Sequence, residues 1–285
     1  MKEKLFYLGV GCQKGGTTWL HSQLSNSQFV DTGFNKEYHV FDALFVEEFS
    51  SFLSKKLERL HVLLEMGELM NTQSNLLRHL DFYRNPDNYF EYFDDLWRKS
   101  ENTVAVGDIT PTYSALPADA FRVIKNGLEA KGFKVKVIYL MRDPVERCWS
   151  MLRMGRIKLQ QKDPAMVLVE EQKALAELYT NRQCELRTRH ELTLENLEKV
   201  FDSENIYYGF YETLFETNTL EKLQEFLELS DFRPDITEQL NVSHKGELAL
   251  NEALVRDVVH FYQETYRYCD SRFGIKSIWD GYNYL

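Results

Sequence analysis

Residues 9–24, GVGCQKGGTTWLHSQL, constrain this chain more than any other stretch. They continue an apolar run, LFYLGVG (5–11), and lead into TTWLHSQLSN (17–26), where Trp19, Leu20 and Leu24 stand at helical spacing. An apolar run ended by glycines reads as a buried strand, so the unit is strand, glycine loop, helix. Such a unit aims backbone N–H groups and the positive end of a helix dipole at one point, a ready-made anion site. The triphosphate-binding pattern is G-x-x-x-x-G-K-[ST], with lysine after the last glycine. Here Gly11 and Gly16 keep the spacing and Thr17 and Thr18 follow, but the lysine, Lys14, precedes Gly15. The loop is built either for a triphosphate on an irregular pattern or for another phosphorylated donor.

The rest of the chain repeats the same alternation. NTVAVGDITP (102–111), FKVKVIYLMRDP (133–144) and NIYYGFYETL (205–214) read as further buried strands. PADAFRVIKNGLEAKG (117–132) reads as an amphipathic helix with a proline start and a glycine stop. This implies an α/β fold, a central, mostly parallel sheet flanked by helices. Residues 44–100 and 157–200 are expected to be helical insertions, and their acidic pairs Glu47-Glu48, Asp94-Asp95 and Glu170-Glu171 to lie on solvated faces. With no internal repeat or Pro/Gly linker, residues 1–285 are expected to form one domain.

A net charge of −10 argues against broad nucleic-acid binding, and means that any anion is held by a few well-placed cations. Cys12, Cys148, Cys184 and Cys269 form no C-x-x-C and no Cys/His cluster, which suits a reducing compartment and implies no metal site. Cys12, inside the loop, is either a small residue that fits there or a reactive thiol. No apolar run approaches the roughly 18 residues of a membrane span, and the stretch after MKEK is too short for a secretory signal. A soluble, cytoplasmic protein without a membrane partner is the expectation.

A second anion site is legible at KVIYLMRDPVERCWSML. Asp143 suits an N-cap and Pro144 the first helical position, so a helix is expected to start there. Arg142 then ends a strand, where open α/β sheets bind ligands. Asp143, Arg147 and Ser150 share one face of that helix. Arg142 with the Ser150 hydroxyl can hold a phosphate through a charge-assisted fork and a neutral donor. The ordinary alternative is that Arg142 pairs with a nearby carboxylate.

Together, QKGGTTWL and YLMRDPVERCWS resemble the sulfotransferase family, whose donor is 3′-phosphoadenosine 5′-phosphosulfate (PAPS) and whose nucleotide product is 3′,5′-ADP. The resemblance covers most of the core. It implies that Lys14 contacts the 5′-phosphosulfate and its bridging oxygen. The amides of Gly15, Gly16 and Thr17, with the Thr17 and Thr18 hydroxyls, would hold the 5′-phosphate, and Arg142 and Ser150 the 3′-phosphate. Trp19 resembles the tryptophan that lies against adenine in some members, and a helix-core position suits it nearly as well. FYETL (210–214) is similar to the family's Tyr-Glu-Asp segment, with Thr213 in place of the acid, which makes Tyr211 an adenine contact. SHKGE (243–247) resembles a late loop closing over the 3′-phosphate; Lys245 and Gly246 match it, and His244 replaces a basic residue.

NKEYHVFDALF (35–45) resembles the K-E-x-H-F-F-D segment of heparan-type glycan sulfotransferases. Lys36, Glu37, His39, Phe41 and Asp42 match, and Val40 replaces one Phe. This implies Glu37 as general base, supported by His39 and Asp42, with His39 as the alternative base. A carboxylate within hydrogen-bond reach can take the proton of an attacking hydroxyl, and cations beside it keep it ionised. The ordinary alternative is a charged loop. In GDITPTYS (107–114), Ile109 stands where some glycan enzymes have lysine, which argues against a highly sulfated polysaccharide acceptor.

Arg153, Arg156, Lys158 and Lys162 form either a basic lip for an anionic acceptor or a solvated helix face. The aromatics of FYRNPDNYFEYFDDLW (82–97) either stack on a sugar or belong to the core. His21, His61, His79, His190, His244 and His260 carry no motif and are expected mostly as packing or solvent-facing residues. The acceptor, a sugar or small-molecule alcohol, stays open, as does the oligomeric state. Two rival readings are a magnesium-dependent kinase or NTPase, with Asp108 as metal-binding acid, and a non-catalytic nucleotide-binding scaffold.

Overall fold

Side chains alternate across a strand, and the first strand shows how this builds the protein. In β1 (Leu5–Gly11), Leu5 and Tyr7 join one buried cluster, while Phe6, Leu8 and Val10 join another. A strand apolar on both sides must be covered on both faces. The structure is a computed structural model that describes residues 3–66, 74–154, 164–237 and 249–285. Lys245, Gly246, Arg156, Lys158 and Lys162 fall outside the described residues.

Four more strands follow: β2 (Val30–Asp31), β3 (Ala105–Ile109), β4 (Lys134–Met141) and β5 (Ile206–Phe210). All pair in parallel, in the order β2-β3-β1-β4-β5. The chain fills one side of β1 with β2 and β3, then crosses to β4 and β5. The carboxyl ends of β1 and β4 therefore meet at the point where the strand order reverses, the usual ligand crevice of such sheets. β2 has no counterpart among the expected strands, because two residues are too few to show an alternation.

The helices are α1 (Thr17–Ser25), α2 (Phe41–Phe45), α3 (Ser51–Glu65), α4 (Ser74–Arg84), α5 (Asp87–Arg98), α6 (Ala118–Ala130) and α7 (Pro144–Met154). After them come α8 (Pro164–Leu178), α9 (Arg182–Leu186), α10 (His190–Glu198), α11 (Thr217–Leu227), α12 (Glu252–Phe261) and α13 (Gln263–Phe273). Leu20 and Leu24 of α1 and Leu223 and Leu227 of α11 cover one face of the sheet. Phe93 of α5, Phe121 and Ile124 of α6, and Cys148 of α7 cover the other.

Packing settles several open points. Phe82, Tyr89, Phe90 and Phe93 are buried in the core, so that aromatic stretch is largely core rather than a sugar platform. Ile109 is buried too, in the smaller cluster. The acidic pairs are not uniformly solvated. Asp94 is buried and pairs with Lys4 and Arg98, and buried Glu171 accepts a hydrogen bond from Trp149 Nε1 at 2.8 Å. One acid of each of these pairs turns inward because a donor waits there, which its neighbour's charge does not reveal. No helix among the described residues is long and apolar enough to cross a membrane.

Candidate active site

The glycine loop leaves β1 and is tied at once to β4: Cys12 N donates to Leu140 O, 2.5 Å away. Gly15 N then donates to Cys12 O at 3.0 Å, closing a turn. A Cβ on Gly15 would lie 2.6 Å from the Leu140 carbonyl oxygen. Gly16 has φ +93° and no room toward Leu214, where a Cβ would come within 2.7 Å. Both positions require glycine for close approach. Cys12 is buried, and burial pushes its thiol up to about 12, so it is a fitting residue rather than a reactive one.

Gly16 is also the N-cap of α1 and offers no side-chain bond, so the first-turn N–H groups lack an intrahelical acceptor. Thr17 is buried there and Thr18 half-buried. Lys14 is held in left-handed backbone at φ 71°, a strained conformation for a side-chain-bearing residue. Burial lowers its pKa, and Arg142, Lys36 and Arg153 lower it further. In a chain of net charge −10, cations have thus converged on this loop.

Arg142 follows β4, and its surroundings fix it from several sides. Asp143 caps α7 as expected, with Val145 N donating to Asp143 Oδ1 at 2.9 Å. The same carboxylate accepts from Tyr266 OH at 2.6 Å and Gly281 N at 2.7 Å. His190 holds the Arg142 carbonyl at 2.9 Å through Nε2. A carbonyl only accepts, so Nε2 carries the proton, and Nδ1 accepts from Tyr139 OH at 2.6 Å. Burial keeps this imidazole neutral, with its pKa down at about 4.

The Arg142 guanidinium reaches back across the sheet, donating from Nη1 to Lys14 O at 3.0 Å. Nη2 meets Glu146 Oε2 at 3.3 Å, so the ordinary carboxylate pairing also occurs. The guanidinium lies 4.2 Å over the Tyr211 ring, and its Nε is buried without a hydrogen-bond acceptor. Glu212 fastens this segment in place, accepting from Asp143 N at 3.0 Å and Trp279 Nε1 at 3.2 Å. Ser150 is buried further along α7. Trp19 is 3% exposed, packs edge-on against Phe215 and donates from Nε1 to Asp235 O at 2.9 Å.

The third cluster is a chain of acid, imidazole and acid. Glu37 Oε2 lies 3.2 Å from His39 Nε2, and His39 Nδ1 lies 2.7 Å from Asp42 Oδ2. Lys36 pairs with the other oxygen of Glu37. Each ring nitrogen faces a carboxylate, so both carry protons and His39 is an imidazolium. Burial opposes that charge, but the bonds to Asp42 and Glu37 prevail and raise the His39 pKa to about 9. Burial likewise works to raise Glu37, yet His39 and Lys36 outweigh it and hold Glu37 at about 2. The His39 ring is stacked on Phe52, with centroids 3.8 Å apart.

His39 itself has φ 52°, and its left-handed backbone is pinned from both sides. Tyr38 N donates to Thr110 Oγ1 at 2.9 Å, Val40 N to Tyr113 OH at 3.3 Å, and Tyr83 OH to His39 O at 2.8 Å. His79 Nε2 bonds the Tyr38 carbonyl. Behind them sits Asp108, fully buried, which accepts from Thr110 Oγ1 at 2.6 Å, Tyr89 OH at 2.9 Å and Tyr113 OH at 3.0 Å. Its carboxylate is thereby spoken for and is not a magnesium ligand in waiting.

Replacing Asp108 with asparagine turns one acceptor oxygen into a donor, so at least one buried hydroxyl loses its partner. We expect a stability loss of about 1–3 kcal/mol. With the loop loosened, the His39 titration midpoint in NMR should drop from about 9 toward its ordinary value.

Asp108, His79, His190 and Tyr83 were not singled out as supports by any motif, because each acts on a loop distant in sequence. His21, which also carries no motif, is partly buried near this loop. Its buried Nε2 has no hydrogen-bond partner, burial lowers its pKa, and Lys36 and Glu37 both act on it.

On the five-stranded parallel sheet, a lysine-bearing glycine loop thus lies beside an arginine turn at the carboxyl ends of β1 and β4. A family model for the sulfotransferase domain matches residues 7–264, and the chain belongs to the sulfotransferase family. It is similar in fold to a sulfotransferase from Alicyclobacillus acidocaldarius, at 17% identity and a TM-score of 0.57 over 93% of this chain and 94% of that one. A sulfotransferase domain from the olefin synthase of Synechococcus PCC 7002 aligns at 14% identity and TM-score 0.44, covering 92% and 96%. Another from the curacin biosynthetic pathway aligns at 19% and 0.45, covering 81% and 76%. No curated protein matches the chain significantly.

Proposed function

We propose that this sulfotransferase moves the sulfuryl group of PAPS to a hydroxyl of a sugar or small-molecule alcohol, with Glu37 as general base. The observation that supports it most is the bond from Arg142 Nη1 to Lys14 O. It sets two cationic side chains at neighbouring strand tips, with the Arg142 Nε still lacking an acceptor. A bis-phosphorylated adenosine has an anion for each end of that arrangement.

In this reading Lys14 meets the 5′-phosphosulfate. The Gly15 amide already serves Cys12 O, so the N–H groups of Gly16 and Thr17, with the Thr17 and Thr18 hydroxyls, take the 5′-phosphate. Arg142 and Ser150 take the 3′-phosphate. Tyr211, already against Arg142, is the better adenine contact, since Trp19 is packed into the core.

Transfer forms a bond from the acceptor oxygen to sulfur as the bond from sulfur to the 5′-phosphate oxygen breaks. The acceptor proton passes to Glu37, and 3′,5′-ADP leaves without help from a metal. Lys14 and the loop amides stabilise the charge developing on the leaving oxygen, a preorganised effect. The imidazolium of His39 has no lone pair to accept a proton, which favours Glu37 over His39 as base. Glu37 is a weak base while His39 and Lys36 surround it. The donor's negative oxygens, once bound beside it, raise its affinity for a proton. The four free cysteines suit action in a reducing cytoplasm.

The test is label transfer from radiolabelled PAPS to panels of saccharides and alcohols, with 3′,5′-ADP and Mg-ATP affinities measured alongside. Transfer and tighter binding of 3′,5′-ADP are expected. Tighter binding of Mg-ATP would revive the NTPase reading, and donor binding without transfer the scaffold reading.

A further inference from the structure

Arg187 ends α9, and only 6% of its surface is exposed. The short helix is tied to the turn after α2: Gln183 Nε2 donates to Glu48 O at 2.6 Å, and Arg182 Nε to Glu48 Oε1 at 3.3 Å. This places the Arg187 guanidinium 4.3 Å over the ring of Phe49. Phe49 lies 6.3 Å from Phe52, the ring on which His39 is stacked. Arg187 therefore lines the same wall as the Glu37–His39–Asp42 chain.

Among the described residues Arg187 makes no hydrogen bond or ion pair, and its Nε is buried without an acceptor. Its neighbours on the same segment are not left so. Arg182 pairs with Glu48 and Glu185, and Arg189 with Glu185 and Glu191. The chain carries 44 acidic residues against 34 basic ones, so carboxylates are not scarce. A buried charge without a partner is strongly unfavourable, and an aromatic face offsets only part of that. Burial and Arg147 lower the Arg187 pKa to about 10, so the guanidinium is still charged near neutral pH. Asp42 and Glu37 act on it from a distance, but their oxygens already serve His39, Lys36 and the Ala43 amide.

We propose that Arg187 receives an anionic group of the acceptor, a carboxylate, sulfate ester or phosphate ester, on the molecule whose hydroxyl faces Glu37. The proposal rests on the sulfuryl-transfer reading above. The donor's own anions are matched by Lys14, Arg142 and the start of α1, whereas Arg187 stands on the His39 side. A guanidinium fork fits the paired oxygens of such groups. One fork selects a single anionic group rather than a polyanion.

The experiment titrates the wild-type protein and Arg187→Gln, each saturated with 3′,5′-ADP, with glucuronate, glucose 6-sulfate, glucose 6-phosphate and glucose in a calorimeter. The wild type should bind at least one anionic sugar about ten-fold or more tightly than glucose, the scale of a charged hydrogen bond. Arg187→Gln should lose that preference while binding 3′,5′-ADP as before. Should Arg187→Gln not fold, Arg187→Lys carries the test: it keeps the charge without the fork, and the preference must fall several-fold. No preference in the wild type, or an unchanged one in the variant, overturns the proposal. Weakened 3′,5′-ADP binding in Arg187→Gln assigns the residue to the donor and overturns it while sparing the transfer reading. Failure of the wild type to bind 3′,5′-ADP removes both.

Discussion

Replacing Lys14 with alanine should lower the sulfuryl-transfer rate by about 10²-fold or more, the cost of one lost preorganised donor. The melting temperature should stay near that of the wild type or rise. Burial lowers the Lys14 pKa and three cations, Arg142, Lys36 and Arg153, press on it, so its charge is a strain on the folded protein. Removing the ammonium relieves that repulsion, and alanine keeps the Cβ that the left-handed backbone at this position already accommodates. Initial rates with labelled PAPS and a thermal melt check both halves; a full rate in the variant removes Lys14 from the mechanism.

Glu37→Gln should have an effect at least as large, about 10²–10⁴-fold in rate, the usual contribution of a positioned base. Binding of 3′,5′-ADP should be little changed, because the contacts proposed for the nucleotide lie on the loop and on Arg142. The pH dependence follows from the two shifted groups. The His39 pKa is raised from 6.5 to about 9, so its stabilisation is complete below 6.5 and is lost as pH rises through 9. That of Glu37 is lowered from 4.5 to about 2, so its stabilisation is present above 4.5 and is lost as pH falls through 2. Stability therefore has its plateau for this pair between about 4.5 and 6.5 and declines toward 9. In Glu37→Gln the His39 midpoint, followed by NMR, should move down from about 9, since one of its two carboxylates is gone. A midpoint that stays put would mean that Glu37 does not hold the imidazolium, and the base assignment would lose its support.

Much of this site was legible in the chain. The strand, loop and helix of residues 5–25 emerged at nearly the expected boundaries, because glycine requirements and apolar alternation are local properties. The N-cap role of Asp143 was legible for the same reason, since a cap and the helix it starts are neighbours. The segment 36–42 showed its residue types, but not that both ring nitrogens of His39 would be occupied.

Residue spacing determined, unaided, that this is a parallel α/β protein with a lysine-bearing glycine loop and an arginine turn at strand ends, and a charged loop. Tertiary structure alone decided which charges those turns would face. Lys14 and Arg142 touch because β1 and β4 are adjacent, Asp108 supports the His39 loop through the hydroxyls of its near neighbours Thr110 and Tyr113, and Arg187 sits on the His39 side without a carboxylate. Periodicity says which face a side chain is on, while its protonation and its need for a partner depend on what the fold packs against that face.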